Sequence, residues 1–178
     1  MVAASDQVFR YRVDARDRIA WVDERWLAFA RENGASELTE QQVVGETLWD
    51  FVDGDATRAV YDKLHRQVRQ DRKPVVVPFR CDSPSLRREM QLAISPEQAG
   101  QLLYESTIVL STPCTPVDFL DPTLPRSRSF LTMCSCCKRV LIEPDGWLEA
   151  NDAAVRLKVL SVARPPQLAY DMCPACQQ

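Results

Sequence analysis

The sequence predicts an α+β fold, an antiparallel five-stranded sheet with helices on one face, followed by a small ribbon-like cysteine module. Three observations predict it. Strand-like alternation of apolar and polar residues flanks a central stretch of helical periodicity, which sets two hairpin-like groups of strands around intervening helices. Proline-rich sequence from Pro113 to Arg128 then interrupts any regular pattern. Beyond it, Cys134, Cys136, Cys137, Cys173 and Cys176 gather most of the seven cysteines into one region.

Phe9–Val13 and Arg18–Val22 alternate in polarity and are joined by the polar connector Asp14-Ala15-Arg16-Asp17, which makes them a β-hairpin. Asp23 is placed to cap a helix whose apolar face carries Trp26, Leu27, Phe29 and Ala30, and Gly34 supplies the left-handed residue that ends it. Thr39–Val52 reads as short helical turns, broken at Gly45, with Trp49 and Phe51 large enough to need a core. Asp55–Gln70 is a longer amphipathic helix: Val60, Leu64 and Val68 recur at helical spacing, Tyr61 and His65 lie on the adjoining strip, and Pro74 follows. Three strands come next, Val75–Cys81, Glu89–Ser95 and Gln101–Leu110, with turns at Ser83-Pro84-Ser85 and Ser95–Gly100 between them.

This organisation gives a first domain over 1–112, a Pro-rich linker over 113–130 packed in places by Val117, Phe119 and Leu120, and a cysteine module over 131–178. The module opens with Met133–Lys138. It continues as a hairpin of Arg139–Ile142 with Trp147–Leu148, turned at Pro144-Asp145-Gly146, and then as a helix over Asn151–Leu160. Pro165-Pro166 separates that helix from the second cysteine pair.

Cys134-Ser135-Cys136-Cys137 and Cys173-Pro174-Ala175-Cys176 are two Cys-x-x-Cys pairs. Two thiolates three positions apart turn inward on one tight loop, and two such loops close the tetrahedral sphere that Zn2+ prefers. The stretch from Lys138 to Met172 is longer than the roughly 15–20 residues of the simplest ribbons, and the hairpin and helix fill it. Lys138 is positioned to offset the charge of four thiolates around one divalent ion. Zinc is not the only reading of these cysteines. A redox-active dithiol or disulfide, and unligated core thiols, stand beside it, and the metal itself is zinc or iron. Cys136 reads as apolar filler, a replacement ligand or an accessible thiol next to a positive centre. Cys81 and Cys114 carry no such pattern.

The element order, the Val44-Gly45 step before Trp49-Asp50-Phe51-Val52, and the strand from Pro74 to Arg80 together resemble a PAS domain over about 8–112. The resemblance implies a PAS-like antiparallel five-stranded sheet, a sensory or protein-interaction role, a protein partner or homodimer, and often a small-molecule cavity between sheet and helices. Here Trp26, Trp49, Phe51, Leu64, His65 and Phe79 are the residues placed to line such a cavity, with plain core filling as the alternative. His65 sits on the helix that in some PAS domains provides an axial ligand to haem. A hydrogen-bonded histidine is the alternative there. The tail is similar to a short cysteine module at the C-termini of some bacterial PAS-containing signalling proteins, through Cys134, Cys137, Lys138, Asp145, Gly146, Trp147, Cys173, Pro174 and Cys176. It departs from that module at Tyr170-Asp171-Met172, where a histidine often stands.

Composition excludes several functions. The chain has 178 residues, 46% hydrophobic and 26% charged, with net charge −3 and pI near 5.3, so it neither steers onto phosphate backbones nor suits anionic membranes. No apolar run is long enough for secretion or membrane insertion, which sets the expectation of a cytoplasmic protein. In that reducing compartment, clustered cysteines point to metal or thiol chemistry rather than structural disulfides. One histidine, five glycines, no Gly-x-Ser-x-Gly and no phosphate-cradling loop leave no constellation for an enzyme. The expected protein is a non-catalytic module of bacterial-type signal transduction with a zinc-ribbon-like tail.

Overall fold

A computed structural model describes residues 8–159 and 162–177. The first seven positions of the expected first domain, and Leu160 at the expected end of the tail helix, lie outside the described residues.

Two sheets carry the chain. The first contains β1 (Val8–Val13), β2 (Ile19–Val22), β3 (Val75–Arg80), β4 (Leu86–Pro96) and β5 (Leu102–Pro113) in the order β2-β1-β5-β4-β3, every neighbouring pair antiparallel. Helices α1 (Glu24–Glu32), α2 (Glu40–Val43) and α3 (Asp55–Asp71) connect its two halves and cover one face. Alternation works as expected: Met90, Leu92 and Ile94 of β4 point inward and are buried, while Glu89 and Gln91 are exposed. The Leu92 and Ile94 side chains, with Val13, Ile19, Leu27, Val43, Val68, Leu102 and Tyr104, make one core. The β4 and β5 strands run three residues further at the turn-distal ends than the polarity pattern indicated, because Leu86 pairs with Pro113 and bridges Ser83 across the tight turn.

Local signals act as their chemistry requires. The Asp23 carboxylate accepts the Trp26 amide at 2.6 Å, capping α1. Helix α3 stops at Arg72, which takes a left-handed conformation (φ 54°), two residues before Pro74. It starts at Gly54 (φ 84°), where a Cβ would lie 2.6 Å from the Tyr170 carbonyl oxygen, so a glycine is what lets the helix begin against the tail.

The second sheet has β6 (Phe130–Cys134), β7 (Val140–Ile142), β8 (Gly146–Leu148) and β9 (Gln167–Asp171) in the order β8-β7-β6-β9, with α4 (Ala150–Leu157) beside it. The β7–β8 hairpin turns through Pro144-Asp145-Gly146 as expected. Strand β9 was not foreseen, and it pairs with β6 in parallel. Val117 and Phe119, expected to pack the linker in places, are fully buried with Met133, Val140, Ile142, Ala153 and Ala154 in a second core.

Ion pairs and hydrogen bonds fasten the two sheets together. Arg80, at the end of β3, binds Glu149 at 2.6 Å and also pairs with Asp82. Arg87 and Arg139 approach the same Glu149 at 3.5 and 3.1 Å. Arg80 and Arg87 thus both reach the tail from the first sheet, and Arg88 donates to Asn33 at 2.9 Å. No helix among the described residues is long and apolar enough to cross a membrane.

Candidate metal centre

Parallel pairing of β6 and β9 brings the two cysteine pairs to the same end of the second sheet. Cys134 closes β6, and Asp171 closes β9 two residues before Cys173. The Ser135 amide donates to the Asp171 carbonyl at 2.8 Å, which ties the two loops where they leave their strands. The first loop is a tight turn. Cys134 donates its amide to Arg139 and accepts the Lys138 amide at 3.0 Å, and Lys138 adopts a left-handed conformation (φ 61°) to return the chain into β7. The second closes through the Cys176 amide on the Cys173 carbonyl at 2.9 Å.

The sulfurs of Cys134, Cys137, Cys173 and Cys176 all lie within 4.8 Å of one another, an arrangement able to hold a metal ion. Cys137 and Cys173 sulfurs are 3.6 Å apart, and all seven cysteines are free thiols. Cys134 and Cys173 are buried, whereas Cys137 and Cys176 are half-buried. Two amides aim at the Cys134 sulfur, from Cys137 at 3.5 Å and Cys173 at 3.4 Å. Burial opposes ionisation of Cys134, but these amides outweigh it and bring the thiol down to about 7. Cys137 moves the other way, to about 11, because burial and the neighbouring sulfur both disfavour a second negative charge. Cys176 is raised for the same reasons. The opposed shifts show that four negative sulfurs repel one another here, and a divalent ion held among them would offset that repulsion.

Lys138 extends its ammonium to the Ser135 carbonyl at 2.9 Å and over the Tyr170 ring at 5.5 Å, next to the cluster as its position in sequence indicated. Cys136 stands outside the four-sulfur group. Its thiol approaches the Pro78 carbonyl oxygen at 3.6 Å and its own carbonyl accepts the Arg80 amide at 2.8 Å. Tyr170, from the Tyr170-Asp171-Met172 stretch before the second pair, presents its ring face to Lys138. Nothing in the sequence marks Pro78 or Thr57 as neighbours of the site; Pro78 reaches it through a backbone carbonyl and Thr57 through its hydroxyl on Ser135, contacts that leave no compositional trace.

The residues expected around a cavity have different fates. Trp26, Leu64 and Phe79 pack against the first core. Trp49 lies beside His65 with ring centroids 5.5 Å apart. Phe51, expected in the core, is 45% exposed, at a cleft of about 290 Å³ between the two bodies that Thr57, Tyr61, Ser135, Lys138 and Tyr170 also line. His65 is only 1% exposed. Its Nδ1 pairs with Asp17 at 2.8 Å and its Nε2 with the Tyr104 hydroxyl, so an axial bond to haem iron would have to displace one of them. Asp17, read from sequence as a mere turn residue, also binds Arg69 at 2.7 Å.

No family model matches the chain, and no curated protein matches it. Among solved structures it is similar to the PAS domain of the Cronobacter turicensis RpfR quorum-sensing receptor in complex with BDSF, at 13% identity and a TM-score of 0.45, over 62% of this chain and 100% of that one. The same domain in complex with C12:0 gives 12% identity and a TM-score of 0.41 over the same shares.

Proposed function

We propose that this chain is a non-catalytic, PAS-like sensory or protein-interaction module of bacterial-type signalling, acting in the cytoplasm, whose tail is held by one structural Zn2+ on Cys134, Cys137, Cys173 and Cys176. The observation that carries the reading is the convergence of four thiols, two from each of two loops, within 4.8 Å. Four sulfur donors complete a tetrahedron and leave no open position for substrate, which favours a structural ion over a Lewis acid. The five-stranded antiparallel sheet with helices on one face supports the sensory half of the reading. Its input is a small molecule between sheet and helices or the state of the metal centre. Its output is an altered contact with a protein partner or a second copy of the chain.

Native mass spectrometry of the full chain purified from cells tests it. One zinc per chain, lost on chelation together with tail structure by circular dichroism, is the expected result; metal-free protein with an intact tail overturns it.

A thiol redox switch is the second reading, favoured by the Cys136 thiol standing beside the cluster and by the 3.6 Å approach of Cys137 to Cys173. Hydrogen peroxide would take two electrons from a pair of metal-bound thiolates and, with two protons from solvent, leave one S–S bond and two waters and release the ion. Zinc release by stoichiometric peroxide, reversed by dithiothreitol, selects this reading. Release that is slow or irreversible rejects it.

A further inference from the structure

The loop that supplies Cys134 and Cys137 also fastens the tail to the first sheet. Strand β3 is the outermost of its sheet, and an edge strand presents unpaired amides and carbonyls. Cys136 meets one of each. Its carbonyl accepts the Arg80 amide at 2.8 Å, and its thiol, a weak donor, faces the Pro78 carbonyl at 3.6 Å. One position earlier, the Ser135 hydroxyl lies 2.6 Å from the Thr57 hydroxyl in the first turn of α3. The two residues between the sulfur-bearing positions therefore hold one strand and one helix of the N-terminal body. Gly54 at the start of α3, pressed against the Tyr170 carbonyl, abuts the adjoining strand β9 of the tail.

We propose that the Cys134–Cys137 loop is a metal-set latch. With an ion bound, both ends of the loop are clamped through sulfur, and the backbone of Ser135 and Cys136 is fixed in the geometry that caps the β3 edge and the first turn of α3. With the ion removed, the loop loses that clamp and releases both contacts, so the N-terminal body registers the state of the site. The latch rests on the zinc reading above and adds to it the place where metal occupancy is read. Linkage makes the coupling reciprocal: whatever docking gains from the ion, the ion gains from docking by the same factor. Thr57 is not one of the four sulfur donors, and its hydroxyl meets the loop at Ser135, so an effect of Thr57 on metal affinity reports that contact.

Hydrogen exchange by mass spectrometry on the full chain, zinc-loaded and chelator-stripped, tests the latch, with metal content measured in the same samples. Stripping should speed exchange about tenfold in Val75–Arg80 and in the first turn of α3 while β1 and β5 keep their protection. Thr57→Val should still bind one zinc but surrender it to a competing chelator several-fold more readily. Metal loss that leaves Val75–Arg80 unchanged, an equal rise across the whole first sheet, or unaltered zinc affinity in Thr57→Val would overturn the latch while the zinc reading stands. A chain that takes up no zinc overturns the zinc reading, and the latch falls with it.

Discussion

Arg80 and Glu149 meet at 2.6 Å across the joint between the two sheets, the guanidinium about 10% exposed and the carboxylate about 30%. Arg80 also serves Asp82, so its removal takes a cationic partner from two carboxylates, one of them nearly buried. Arg80→Met should lower stability by about 2 kcal/mol, below the usual cost of breaking a buried pair because Glu149 is partly solvated and keeps Arg139. Urea unfolding of the metal-loaded chain measures it, and a loss under about 0.5 kcal/mol would mean the pair contributes nothing net.

Burial alone would raise the Glu149 carboxyl, but hydrogen bonds from Arg80 and Arg139 outweigh it and hold the group below its ordinary value of 4.5. A depressed carboxyl contributes stability that is complete above the unfolded value and is lost as pH falls through the folded one. Acid unfolding below about pH 4.5 should therefore be steeper in the wild type than in Arg80→Met, as read by the urea midpoint at several pH values.

His65 gives a pH dependence of opposite chemistry and the same direction. Burial lowers its pKa below 6.5, and Asp17 opposes that only in part, while Arg69 adds to the lowering. The folded state then resists protonation more than the unfolded one, so stability is complete above about pH 6.5 and declines as pH falls through the lower folded value. His65→Gln should flatten the change in urea midpoint between pH 7.5 and 5.5 relative to wild type. Comparing the two proteins cancels the parallel loss of metal in acid, and an unchanged slope would remove His65 as its source.

The tail cysteines should separate cleanly. Cys173→Ser should lose the ion and the far-ultraviolet signature of the tail, whereas Cys136→Ser should keep one zinc, because its sulfur lies outside the four that converge. Equal metal loss in both variants, measured by native mass spectrometry, would place Cys136 among the ligands.

Phe119 is fully buried in the second core, in a stretch whose prolines made it read as a linker. Phe119→Ala should cost about 3–5 kcal/mol and open the tail to protease first. Cleavage that begins elsewhere, with the unfolding midpoint unmoved, would show the segment to be a passive connector.

Much of this was legible in the residues. The two-residue period of β1, β3 and β4, the Asp23 cap and the spacing along α3 each produce their element from local chemistry alone. The cysteine pairs were legible because ligand spacing is a property of a short loop. What escaped was non-local. Strand β9 is five residues long after Pro165-Pro166, and its pairing is with a strand far earlier in the chain, so no neighbouring residue announces it. His65 read as a hydrogen-bonded histidine without named partners, because Asp17 and Tyr104 come from a turn and a strand that only the fold brings together. The core that Phe119 enters was hidden for the same reason: prolines describe how a segment runs, not what it covers.

The parallel pairing of β6 with β9 has a consequence for biosynthesis. Cys137 and Cys173 are 36 positions apart, so at about 5–20 residues per second the ribosome delivers the second half of the site roughly two to seven seconds after the first. Until then the chain has only a two-sulfur half-site, so an ion held by all four sulfurs would be captured late, as a sealing event in the birth of the molecule.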